Sequence, residues 1–213
     1  RATIYTYNLE VFDPTWFSAA GRPAERKRAC RSARAVSGTE RRGGQLDMTE
    51  RLLGQMAVKE SRRLHATSQA YIAFLELGGT IRMEDLNAAL IRRYLKRSIP
   101  ILTGLSATYL YRFPRELGCD CKSDDIRGLP VGHFVTLCGY DKDRRTVEVA
   151  DPYLPNPLAE NHYYEVRLDR LVCAILLGVL THDADLLVIE PAFGPRQSKE
   201  AEEVPNGFRA TTK

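Results

Sequence analysis

Two runs of alternating residues, His133-Phe-Val-Thr-Leu-Cys-Gly-Tyr140 and Arg145-Thr-Val-Glu-Val-Ala-Asp151, flank the polar stretch Asp141-Lys-Asp-Arg144. Period-two alternation on both sides of a polar turn is a β-hairpin signal. It commits this part of the chain to antiparallel pairing and decides which side chains share a face. If the loop spans 141–143, His133 faces Asp151; a loop one residue shorter or longer puts His133 opposite Pro152. Directly opposed Cβ atoms lie about 4.5–5.5 Å apart. The hairpin therefore brings an imidazole and a carboxylate together at one sheet edge. Gly132 leaves the backbone open to approach, and Pro152 holds the preceding Asp151 extended.

Around the hairpin, strand composition recurs at 99–103, 107–111, 163–167 and 185–190, with a short helix expected over 168–180. The first half of the chain has a different period. Residues 2–7 read as a strand, and Phe12 to Phe17 as an aromatic-anchored loop turned by Pro14. Helical spacing covers 48–64 and 70–77, stopped by Gly78-Gly79. The clearest helix runs over 83–96, with Leu86, Leu90 and Tyr94 on one side, acids early and bases late. Helices first and an antiparallel sheet second make an α+β layout.

Composition excludes several classes. A chain of 213 residues is about one domain, or a domain with an appendage. With 44% hydrophobic and 27% charged residues it has the material for a packed core, unlike a disordered or collagen-like chain. The longest apolar run, Leu171 to Leu180, is about half of the ~18 residues that a membrane span needs, so no membrane partner is expected. A net charge of +4 does not call for nucleic acid. The most basic segment, 21–44, has eight Lys/Arg against two Glu but lacks the interleaved aromatics of a nucleic-acid surface, and reads as a solvated helix and loop. The five cysteines are an odd number without framework spacing, which points to reduced thiols and a cytoplasmic protein. After Pro195 the chain is charged and apolar-poor, a loose tail.

The chemistry available is that of the His133–Asp151 pair. A carboxylate on one imidazole nitrogen fixes the tautomer and stabilises the imidazolium, which leaves the other nitrogen to deprotonate a thiol or hydroxyl. The plain alternative is a structural His–Asp contact at a sheet edge. None of the cysteines is an evident nucleophile. Cys30 sits among arginines that would lower its pKa but lacks a buried helix start. Cys138 falls on the face opposite His133, and Cys173 sits in an apolar run; both read as core residues. Cys119-Asp-Cys121 has poor spacing for zinc, so no metal site is expected there. Asp124 and Asp125 read as a solvated acidic turn, His65 and His182 as lone residues without partners, and Trp16 and Tyr153 as candidates for a cleft wall.

Gly132-His-Phe-Val-Thr-Leu-Cys-Gly-Tyr-Asp141 followed by Val147-Glu-Val-Ala-Asp-Pro152 resembles the histidine and aspartate segments of the C39-like cysteine peptidases, a branch of the papain-like superfamily. Leu86 to Leu102, ending Ser98-Ile-Pro-Ile-Leu102, is similar to the element before the catalytic histidine there. Residues 2–17 and 99–134, with Thr103-Gly-Leu-Ser106 and Asp124-Asp-Ile-Arg-Gly128, look closer still to stand-alone bacterial C39-like proteins. The resemblance implies a papain-like fold over 1–193, a helical subdomain packed on an antiparallel β-sheet, and a flexible tail over 194–213. It implies a cysteine peptidase without cofactor or metal, acting on a peptide or protein substrate, with His133 as general base and Asp151 as its orienter. The family's nucleophilic Cys, at the start of an N-terminal helix, and its oxyanion Gln are not found here in their expected context. Since Arg1 runs at once into strand composition, the Cys is expected upstream of residue 1 and this chain by itself is expected to be inactive. The alternative is a non-catalytic peptide-binding module that keeps the cleft.

Overall fold

The computed structural model describes residues 1–17, 47–118 and 121–191. The basic segment with Cys30, Cys119, and the tail over 194–213 lie outside the described residues. The strands are β1 (Ala2–Thr6), β2 (Thr80–Arg82), β3 (Ile101–Ser106), β4 (Glu116–Leu117), β5 (Lys122–Ser123), β6 (Gly132–Asp141), β7 (Thr146–Ala150), β8 (Tyr163–Arg167) and β9 (Asp185–Ile189). The helices are α1 (Met48–Val58), α2 (Arg62–Glu76), α3 (Ala88–Leu95), α4 (Ala107–Tyr111) and α5 (Leu168–Leu177). Seven strands form one sheet in the order β2-β1-β9-β3-β6-β7-β8, antiparallel throughout except for the parallel β1–β2 pair; β4 and β5 form a separate ribbon. This is the expected α+β class.

Alternation along the strands builds the main core. Ile101, Leu105, Val135, Leu137, Val147, Val149, Leu186 and Val188 are buried on one face of the sheet, under Leu90, Ile91 and Tyr94 of α3 and Leu171, Ala174 and Ile175 of α5. Each such aliphatic side chain contributes about 1.5–3 kcal/mol of burial. Val11, Phe12, Leu52, Leu64, Tyr71 and Ile81 make a second cluster where α1 and α2 cover the β1–β2 edge. β1 serves both: Tyr5 points into the main core and Ile4 packs against the second.

Polar caps set the helix boundaries, and three expectations change because of them. The helix expected over 48–64 is two helices: Lys59 is extended, and Ser61 starts α2 by accepting a hydrogen bond from the Leu64 amide. The helix expected from Met83 begins at Ala88, because the Asn87 side chain accepts from the amides of Ala89 and Leu90. The strand expected over 107–111 is the short helix α4, started by Ser106, whose hydroxyl accepts from the Tyr109 amide. Aromatic and β-branched residues gave 107–111 its strand composition; the serine cap and the end of the β3–β6 ladder at Ser106–Gly132 override it.

The hairpin forms, with a four-residue turn over 142–145 in place of the 141–143 loop. Asp141 pairs with Thr146, and the register shifts between Leu137 and Gly139, so that Leu137 pairs with Val149 and Thr136 with Ala150. A β-bulge at Cys138 adds one residue to β6. His133 and Asp151 are therefore not directly opposed. Carrying the register one step past Thr136–Ala150 sets Asp151 beside Val135, and His133 becomes its diagonal neighbour on the same face.

Candidate active site

β6 delivers His133 one residue inside its start, on the inner face that also carries Val135 and Leu137. Asp151 follows directly on β7, and its backbone is held by His162: the Asp151 amide donates to the His162 carbonyl at 2.8 Å, while His162 Nδ1 lies 2.8 Å from the Asp151 carbonyl oxygen. Asp151 is 2% exposed as a residue and its side chain not at all, and both carboxylate oxygens are satisfied. Oδ1 lies 2.8 Å from His133 Nε2 and accepts from the Tyr153 amide at 2.9 Å. Oδ2 accepts from the Tyr164 hydroxyl at 2.8 Å and from the Tyr111 hydroxyl.

These contacts decide the charge. Burial alone would raise the Asp151 pKa; the hydrogen bonds from Tyr111, His133, the Tyr153 amide and Tyr164 outweigh it and hold the carboxyl below its ordinary range. Burial, with the neighbouring carboxylate, pushes the Tyr111 and Tyr164 phenols far up, so both stay protonated donors. An ionised Asp151 on Nε2 puts the proton of the neutral imidazole there and leaves Nδ1 basic. Nδ1 makes no hydrogen bond among the described residues, and the His133 side chain is 22% exposed.

A cleft of about 300 Å³ opens beside this imidazole, walled by Tyr111, Phe113, Pro114, Val131 and Tyr153, with Glu116 and Cys121 also lining it. Tyr111 and Tyr153 stack at 5.9 Å, and each approaches the His133 ring at 6.1–6.2 Å. α4 ends at Tyr111 because Arg112 takes a left-handed conformation (φ 59°), which turns the chain into the cleft wall. On the other side of β6, a Cβ at Gly132 would meet Asp183 Oδ2 at 1.9 Å, so the chain after α5 packs flush against the strand that carries His133. Larger hollows of about 580, 540, 520 and 430 Å³ lie elsewhere; His182 lines the last, and no histidine lines the other three.

Of the residues singled out in the sequence, His133, Asp151 and Tyr153 come together here. Trp16 does not: it packs edge-on against Phe12 at 6.2 Å with the Arg51 guanidinium over its ring. Cys138 and Cys173, expected in the core, are exposed. The bulge turns Cys138 outward, and Cys173 lies on the side of α5 away from Leu171, Ala174 and Ile175. Partial desolvation of its sulfur against the sheet and the neighbouring Glu148 carboxylate raise the Cys138 thiol pKa, the reverse of what a nucleophile needs. Asp124 closes a turn, accepting from the Ile126 and Arg127 amides and pairing with the Arg127 guanidinium at 2.7 Å. His65 and His182 both have partners: His65 Nε2 meets the Lys59 carbonyl, and His182 Nε2 lies 2.8 Å from Glu10. Among the described residues no three His, Cys, Asp or Glu side chains gather as a metal site, and no helix is long and apolar enough to cross a membrane.

Tyr111 and Tyr164 were missed in the sequence. Tyr164 carried a usable signal, since it alternates with Val166 on the strand next to β7 and pairs with Val149. Comparison with known proteins finds no family model, curated protein or solved structure that matches this chain.

Proposed function

We propose that this chain carries the base and its orienter for thiol-dependent hydrolysis of peptide or related amide bonds, in a papain-like arrangement of the C39-like kind. The observation that carries the reading is the 2.8 Å contact from His133 Nε2 to a fully hydrogen-bonded, buried Asp151 carboxylate, with the same imidazole lining a cleft. A merely structural His–Asp contact needs neither the three further donors on Asp151 nor the cleft.

In this reading a thiol gives its proton to His133 Nδ1, and the thiolate attacks the amide carbon. The C–N bond breaks as the imidazolium returns that proton to the leaving amine. Water then hydrolyses the thioester, with His133 taking its proton and giving it to the departing thiol. Asp151 stays ionised throughout and stabilises the imidazolium. The C39-like resemblance puts the thiol at the start of a helix that packs beside the histidine. A reaction that needs a free thiol, and the exposed thiols of Cys138 and Cys173, fit a reducing cytoplasmic setting.

The test is a longer chain that carries a cysteine at the start of a helix, assayed on a casein digest and on small amide substrates. The expected result is hydrolysis that iodoacetamide blocks and His133→Ala abolishes. Hydrolysis indifferent to both would overturn the proposal. Peptide binding without hydrolysis in the longer chain would favour the non-catalytic binding module instead.

A further inference from the structure

We infer that the cleft beside His133 takes a basic side chain, arginine or lysine, of the peptide whose amide is presented to that imidazole; this names a substrate class for the site proposed above and rests on that reading. Three aromatic rings face the space. Tyr111 and Phe113 are 5.6 Å apart at their centroids, and Tyr153 stacks on Tyr111 at 5.9 Å. Phe113 and Tyr153 keep 41% and 43% of their surface exposed, a cost that a soluble chain recovers when something covers them. Aromatic faces carry negative potential and attract a cation placed over them.

The charge of the lining settles which covering group fits. Glu116 is half-buried on β4, and its carboxylate has neither a hydrogen bond nor an ion pair among the described residues. No lysine or arginine lines the cleft among those residues. The guanidinium of Arg115, next to Glu116 in the chain, turns away to the carbonyls of Asp125 and Ile126. A neutral apolar side chain would cover the rings but strip water from the Glu116 carboxylate without replacing it. A cationic side chain with an aliphatic stem covers the rings and pairs with the carboxylate. An acidic side chain meets like charge. At about 300 Å³ the cleft lies at the small end of the ~300–1,000 Å³ range of ligand pockets, room for one long side chain.

The experiment titrates the 213-residue chain with blocked tetrapeptides that differ at one position, Arg, Lys, norleucine or Glu, and follows binding by calorimetry. The Arg and Lys peptides are expected to bind at least ~10-fold more tightly than norleucine, the energy of one good cation–aromatic contact plus a partly screened ion pair. The Glu peptide should be weakest. Glu116→Gln should bring Arg and norleucine within about 2-fold of each other, and Phe113→Leu, which changes an exposed ring and leaves the core intact, should narrow the gap partway. Equal or tighter norleucine binding, an Arg preference untouched by Glu116→Gln, or no binding by any peptide at millimolar concentration overturns the inference. Peptide preference and amide hydrolysis are read in separate assays, which separates the two claims. A missing preference beside His133-dependent hydrolysis in the longer chain removes only the basic subsite; an intact preference without hydrolysis removes only the amide chemistry.

Discussion

His133 Nε2 and Asp151 Oδ1 meet at 2.8 Å although their residues are not ladder partners. The Asp151 amide pairs instead with the His162 carbonyl beyond the end of β7, and the carboxylate reaches back diagonally across the inner face of the hairpin. Tyr111 from α4 and Tyr164 from β8 approach it from two further elements, so four separate segments fix one side chain.

In a longer chain that hydrolyses amides, His133→Ala should lower kcat/KM by about 10³-fold or more and Asp151→Asn by about 10²–10⁴-fold, the usual range for losing a base or its orienter. Steady-state hydrolysis measures both, and circular dichroism checks that each variant is folded.

Tyr111→Phe and Tyr164→Phe each remove one donor from Asp151 Oδ2 and should each cost about 1–2 kcal/mol in urea unfolding. Since both serve the same oxygen, the double variant should depart from the sum of the singles. Strict additivity would mean that the two hydroxyls do not share the charge.

Stability should depend on pH in two opposite senses. The Asp151 pKa is lowered on folding, so its contribution is present above the ordinary carboxylate range and lost as pH falls through the folded value. Asp185 is the reverse: burial, only partly offset by the hydrogen bonds from Tyr71 and Thr6, raises its pKa to about 6. The folded protein therefore holds that proton more tightly, and stability from this group rises as pH drops from about 6 toward 4. Its Oδ1 has no hydrogen-bond partner among the described residues. Asp185→Asn should stabilise the protein at pH 7 by on the order of 1–3 kcal/mol and flatten the urea midpoint between pH 5 and 7.

Gly104→Ala and Gly132→Ala test the contact between the chain after α5 and the strands of the site. A Cβ at Gly104 would lie 2.1 Å from the Asp183 carbonyl oxygen, and one at Gly132 would lie 1.9 Å from Asp183 Oδ2. Backbone yields less readily than a side-chain tip. Both variants should destabilise by about 1–3 kcal/mol, with Gly104→Ala the worse. Thermal unfolding of the two, side by side, decides the order.

Much of the sheet was legible because alternation needs only local sequence. The hairpin, the shared face of Val135, Leu137, Val147 and Val149, and the His133–Asp151 encounter all follow from it. What was lost depended on tertiary context. Tyr111 looked like strand because a cap of one serine hydroxyl outweighs the composition of the five residues after it. β2 is three residues long and pairs parallel with β1 from far along the chain, so its local pattern is too short to read. Cys173 looked buried because its neighbours are apolar, and only the packing of α5 shows which side faces out.

The extra residue at position 138 keeps the ladder in phase from both ends: Leu137 and Tyr140 both turn inward, with Cys138 and Gly139 between them. Cys138 is thus a residue that the sheet can spare. Excising it would leave every partner of Leu137 and Gly139 in place, whereas cutting out Val135 would invert the strand leading to His133 and swing the imidazole onto the wrong side.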